Sequence, residues 1–171
     1  AKHQYLLDLK NKNLPLSYLQ NLISGLIHHN LIIIQSLVAF RTRCLVYPEL
    51  LVEILDRLIA TELGADLPNF NLKQDGISHI QMLFELADST GMTYEDYQSN
   101  HSPGYEYLNQ QMAVIFTSDS LAYALGALYR DECGAEVIFL AQYQALQNYM
   151  QSHSVNFDLN FFTKHIEEIE P

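Results

Sequence analysis

The chain has 171 residues, a length that fits one domain with a sizeable hydrophobic core. Apolar residues make up 49% of it and charged residues 17%, which is typical of a folded protein rather than a disordered one. The net charge is −11 and the nine Lys and Arg residues are scattered, which argues against nucleic acids and anionic membranes as partners. The two cysteines form neither a metal-type spacing nor a disulfide framework, so we expect a reduced, cytoplasmic location.

Helical spacing of apolar residues runs through most of the chain. In chain order, it predicts a short amphipathic segment over residues 1–12 and then helices over 18–46, 48–63, 76–89, 93–98, 105–116, 118–150 and from about 158 onwards. No alternation of period two bounded by hairpin turns is present, so no strand is predicted. The sequence therefore predicts one all-α domain over residues 1–171, a compact bundle of about seven helices.

The most apolar stretch, residues 31–40, lies inside the first long helix. It is apolar almost all round, which is typical of the centre of a bundle or of a contact between subunits. It is also only ten residues long and contains Gln35 and Ser36. Such a run is too short and too polar to span a bilayer, so no membrane segment is predicted.

The helix predicted over residues 118–150 carries an acidic residue on its apolar stripe. Leu128 and Phe139 belong to this stripe, and Glu132 follows Leu128 by one helical turn. A carboxylate that points into an apolar interior is costly unless it is paired, protonated or bound to a metal. The alternatives for Glu132 are thus a metal site and a buried ion pair with Arg130 or Arg43.

Three more ionisable residues fall on the apolar side of their predicted helices: Glu62, His79 and His165. Each histidine alone is more often a hydrogen-bonded core residue than a ligand. Together with Glu132, however, they would supply two carboxylates and two imidazoles from four helices to one bundle core. That donor set is typical of carboxylate-bridged iron and manganese sites, although no Glu-x-x-His pair is present on one helix.

Several segments carry a resemblance to a known family. They are ELG at 62–64, the helix from His79 to Gly91, ALGALYRDE at 124–132 and FFTKHIE at 161–167. In these segments the chain resembles the heme-oxygenase-like iron-containing redox enzymes. It is most similar to the branch that contains the Chlamydia protein associating with death domains, and the TenA and pyrroloquinoline-quinone synthase C proteins share that fold more distantly. The resemblance covers most of the chain from Pro48 onwards.

The resemblance implies a heme-oxygenase-like bundle, usually a homodimer, that binds non-heme iron and activates dioxygen. Glu62, His79, Glu132 and His165 match metal ligands of the family. Glu168, or alternatively Glu170, is the substitute for a further ligand. Two iron ions would then share Glu132 as a bridging and catalytic carboxylate, with manganese as the alternative metal. The implied function is an oxygen-activating oxidase or oxygenase that acts on a small molecule of unknown identity.

The chain departs from the family pattern at two places. The family's first Glu precedes its His by about two helical turns, whereas a whole predicted loop separates Glu62 from His79, so Asp75 is the alternative first ligand. The family also has an Asp one turn after its last His and a second His beyond, where this chain has Ile169 and ends at Pro171. We therefore expect a continuation beyond Pro171. An alternative function is a metal-free bundle that binds a small molecule or a protein.

Overall fold

A computed structural model describes residues 4–43, 49–63, 78–99, 103–118 and 120–167, without the side chains at 49, 50, 99, 103, 117, 131–133, 136 and 167. These residues form eight helices and no strand: α1 Gln4–Asn11, α2 Leu16–Arg43, α3 Glu49–Leu63, α4 His79–Ser89, α5 Tyr94–Ser99, α6 Pro103–Thr117, α7 Leu121–His153 and α8 Asn160–Glu167. The predicted all-α class is confirmed. The predicted number of about seven helices is too low.

The additional helix is α1, which was predicted only as a short amphipathic segment. Leu9 is fully buried in the same cluster of apolar side chains as Ala141 and Ala145 of α7. The carbonyl oxygen of Lys10 accepts a hydrogen bond from Asn148 Nδ2 at 3.1 Å. These contacts tie α1 to α7. An eight-residue helix is marginal alone in water, so packing against α7 is what makes it stable.

Side-chain caps fix where several helices begin. Ser78 caps α4 by accepting a hydrogen bond from the Gln81 amide, and Ser120 caps α7 by accepting one from Tyr123. Thr93 and Asp96 satisfy each other's backbone amides at the start of α5, as in a capping box. The cap at Ser120 explains why α7 begins at Leu121, later than the residue 118 predicted.

Two clusters of buried side chains form the core, and α2 passes through both. The first cluster joins α1, the first half of α2, α4, the second half of α7 and α8. The second joins the rest of α2 to α3, α6 and the first half of α7. The predicted central position of residues 31–40 is confirmed for Ile33, Leu37 and Phe40, which are buried in the second cluster, whereas Leu31 and Val38 are exposed.

By length and composition alone, α2 could also cross a membrane. Its most apolar window of 18 residues is half buried within the protein. The core helix of a folded domain meets the same two criteria. Length and composition therefore do not distinguish a membrane-spanning helix from a buried core helix.

Gly25 allows α2 and α6 to approach closely, and we expect Gly25→Ala to destabilise the protein by about 1–3 kcal/mol. A Cβ atom at Gly25 would overlap the ring of Tyr105, whose hydroxyl accepts a hydrogen bond from Gln142 Nε2 at 3.1 Å. Helix propensity alone would predict a gain of about 1 kcal/mol for this change. Urea unfolding measures which effect dominates.

Gly126→Ala is the matched control for this prediction. Gly126 lies inside α7 and is exposed. Apart from its own stretch of helix backbone, no atom of the described residues lies within 4 Å of the position that a Cβ would take. Its replacement should stabilise the protein by up to about 1 kcal/mol. A stabilisation of similar size at Gly25 would show that the contact with Tyr105 is not tight.

Candidate metal centre

Glu62 and His79 meet across the gap between α3 and α4. Glu62 lies in the last turn of α3, and His79 is the first residue of α4. His79 Nδ1 donates a hydrogen bond to Glu62 Oε1 at 2.9 Å, and the two side chains are only 14% and 17% exposed. A carboxylate in the last turn of a helix faces the negative end of the helix dipole, so this position favours a nearby cation.

Asn30 of α2 is the second partner of the Glu62 carboxylate. Its Nδ2 donates to Glu62 Oε2 at 2.5 Å. Within the described part of the chain, its Oδ1 is buried and has no hydrogen-bond partner. Sequence reasoning did not select Asn30 as a site residue. The sequence feature that could have pointed to Asn30 is its position as a polar residue directly before the apolar run 31–40. This feature does not reveal its contact with Glu62, 32 residues away.

His165 of α8 completes the cluster. Its ring centroid lies 4.3 Å from that of His79. The rings of Phe139 and Phe161 flank it, with centroids at 5.1 and 4.2 Å. Phe162 of the same helix is fully buried and anchors α8 in the first core cluster. The structure thus brings together three of the five predicted ligands, Glu62, His79 and His165, from three separate helices.

Hydrogen bonds determine which nitrogen of each imidazole carries a proton. His79 Nδ1 faces a carboxylate oxygen, and His165 Nδ1 lies 2.6 Å from the carbonyl oxygen of Phe161. Both oxygens only accept hydrogen bonds, so both Nδ1 atoms are donors. In the neutral ring the lone pair is then on Nε2. For His165 this is the usual pattern of a metal-binding histidine, with one ring nitrogen held by a backbone carbonyl. For His79 the Nε2 lone pair points away from Glu62, so a cation bound by both residues would have to replace the Nδ1 proton.

The Glu62 carboxyl group is held in its charged form. Burial raises its pKa, but hydrogen bonds from His79 and Asn30, together with the electrostatic effect of the His79 and His165 side chains, lower it by more. The pKa of Glu62 therefore lies below its ordinary value. A metal ligand must be deprotonated to bind, so Glu62 meets this requirement at neutral pH.

The remaining predicted ligands fall outside what the structure describes. Glu132 lies within α7, but its side chain is not among those described. Glu168 and the alternative first ligand Asp75 lie outside the described residues. The roles of all three, including the ion pair considered for Glu132, stay predictions.

The donor types in the cluster fit a divalent transition metal, although the arrangement is not a formed cage. Among the described side chains, no group of three or more His, Cys, Asp or Glu residues has the geometry of a metal site. Glu62 instead faces the Nδ1 proton of His79, which gives a charge-assisted hydrogen bond. Two imidazoles and one carboxylate are nevertheless the donor set of non-heme Fe(II) sites. The buried amide oxygen of Asn30, which has no hydrogen-bond partner among the described residues, adds a possible oxygen donor.

A groove between α6 and α7 is a separate feature. Its volume is about 390 Å³, and its lining includes Leu108, Met112, Tyr123, Gly126 and Arg130. None of its lining residues belongs to the cluster of Glu62, His79, His165 and Asn30.

Comparisons with known proteins do not assign this chain to a family. No protein-family model matches the chain. No curated protein matches it either. The heme-oxygenase-like assignment therefore stays a prediction that depends on the motifs quoted above.

Proposed function

We propose that this protein is a non-heme iron enzyme that activates dioxygen, an oxidase or oxygenase of a small molecule. The observation that carries the proposal is the meeting of Glu62, His79 and His165, from three helices, in a mostly buried cluster. Two histidines and one carboxylate with open positions are typical of Fe(II) oxygenases. Bound iron would supply the redox chemistry with dioxygen that amino-acid side chains lack.

The protein's own residues would bind the metal and keep the site dry. The negative charge of Glu62 would offset the positive charge of the cation. Asn30 holds one carboxylate oxygen of Glu62 by a hydrogen bond. Phe139 and Phe161 cover His165 with apolar rings. An apolar shell of this kind limits water access and strengthens the electrostatic interactions inside it.

A second iron ion belongs to the proposal as well. It rests on the resemblance, with Glu132 as the bridging carboxylate and Glu168 as a further ligand. Manganese is the alternative metal, because carboxylate-rich sites also suit it. A homodimer in the cytoplasm completes the proposal, with a small-molecule substrate and dioxygen as the reaction partners.

Anaerobic loading of the full chain with Fe(II) tests the proposal. We expect about two irons per chain by elemental analysis, as in other carboxylate-bridged bundle sites. Exposure to dioxygen should then change the absorption spectrum. Glu132→Ala should lower the iron content. Failure of the wild-type protein to retain iron would overturn the proposal, and unchanged iron binding by Glu132→Ala would remove the bridging role.

The second candidate function is a binding module without redox chemistry. The groove between α6 and α7 favours it, because apolar residues line that groove together with Tyr123 and the cation of Arg130. Mass spectrometry of the purified protein under native conditions would detect a retained organic ligand. A ligand present in a chain that retains no iron would favour this second function.

A further inference from the structure

Asn30 combines two features that its place in an apolar helix does not require. Its Nδ2 donates to Glu62 Oε2 at 2.5 Å, across the interface between α2 and α3. Its Oδ1 is buried and, among the described residues, has no hydrogen-bond partner. Leaving a buried carbonyl oxygen without a partner is costly, whereas an apolar residue of the same shape would avoid the cost. Among the described residues this oxygen is therefore available to a ligand.

The surroundings indicate what that ligand is. The amide nitrogen of Asn30 is tied to the carboxylate whose other oxygen faces His79. The amide oxygen, on the same planar group, is therefore held beside the charged Glu62. Amide oxygens are hard donors that bind divalent cations.

We infer that Asn30 Oδ1 is a further oxygen ligand of the cation held by Glu62, His79 and His165, and that its Nδ2 fixes the position of the Glu62 carboxylate. This inference rests on the proposed metal centre. An extra hard oxygen favours Mn²⁺ and Fe²⁺ more than it favours Zn²⁺. Asn30 therefore contributes to the choice of metal as well as to its affinity.

Two substitutions separate ligation from simple positioning. Asn30→Leu keeps the approximate shape of the side chain and removes both polar atoms. Asn30→Asp keeps an oxygen donor but loses the N–H group that binds Glu62. If Oδ1 binds the cation, Asn30→Leu should weaken Mn²⁺ binding by about tenfold or more. Asn30→Asp should bind Mn²⁺ at least as tightly as the wild-type protein does, because it adds negative charge.

The measurement is titration of the metal-free full chain with MnCl₂, followed by electron paramagnetic resonance and calorimetry, and repeated with ZnCl₂. Asn148→Leu is the matched control, because Asn148 Nδ2 donates to the carbonyl oxygen of Lys10, away from the cluster. Thermal unfolding of each variant shows that it is folded. The loss of affinity in Asn30→Leu should be larger for Mn²⁺ than for Zn²⁺.

The outcomes distinguish this inference from the proposed function. If the wild-type protein binds neither metal, both are overturned. If it binds Mn²⁺ and Asn30→Leu binds equally well, only the inference is overturned. If Asn30→Asp binds as weakly as Asn30→Leu, Asn30 acts only by positioning Glu62 and its oxygen is not a ligand.

Discussion

His79→Ala should weaken Fe(II) binding by about 100-fold or more. Loss of an outer-shell partner of a metal ligand already costs about 10–100-fold in affinity, and loss of the ligand itself costs at least as much. His79 also donates to Glu62 and lies 4.3 Å, ring to ring, from His165, so its removal disturbs both of these other proposed ligands. Equilibrium dialysis of Fe(II) under anaerobic conditions measures the change.

His153→Ala is the matched control for this experiment. His153 is exposed at the end of α7, and its ring stacks on Tyr149 with a centroid separation of 4.0 Å. It is a histidine outside the cluster, so its replacement should leave the affinity for iron unchanged. Wild-type affinity in His79→Ala would contradict the assignment of His79 as a ligand.

Phe162→Ala should lower the free energy of unfolding by about 3–5 kcal/mol. Phe162 is 0% exposed and packs against the rings of Phe139 and Tyr143, with centroids at 6.0 and 6.4 Å. The helix that carries it, α8, has eight residues and is too short to be stable without this packing. Because α8 also carries His165, loosening it should weaken iron binding too. Chemical unfolding measures the first effect and Fe(II) dialysis the second.

Val155→Ala is the control for the loss of Phe162. Val155 lies between α7 and α8 and is 43% exposed, so its truncation should change the free energy of unfolding by no more than about 0.5 kcal/mol. Phe162→Leu should fall between the two, because it leaves a smaller cavity. A loss of less than about 1 kcal/mol in Phe162→Ala would contradict the tight packing of α8.

The helices could be predicted from the sequence because local patterns determine them. Apolar spacing predicted the course of α2, α3 and α4, and the helix predicted over 93–98 begins one residue before α5 does. The errors arose where tertiary contacts decide the outcome. Packing against α7 stabilises α1 as a complete helix. Similarly, the close approach of α2 and α6, where the Tyr105 ring lies against Gly25, leaves no periodic signal in either helix.

The candidate site could be predicted only in part. Glu62, His79 and His165 were selected because each is ionisable on an apolar face, and the structure brings them together. Asn30 was missed because an uncharged residue in a helix is not unusual by itself. Its contact with Glu62 joins residues that are 32 positions apart, and no local pattern contains that information. Glu132, which was selected on the same ground, and Glu168, which was selected from the resemblance, stay predictions.

The most direct measurement is anomalous X-ray diffraction at the iron edge from crystals of the Fe(II)-loaded protein. If Glu62, His79 and His165 form a metal centre, an iron peak should lie about 2.0–2.2 Å from a carboxylate oxygen of Glu62, from His79 Nδ1, which faces that carboxylate, and from His165 Nε2. Clear density for all three side chains with no iron peak among them would contradict the metal centre. The apolar groove between α6 and α7 would then be the better candidate for function.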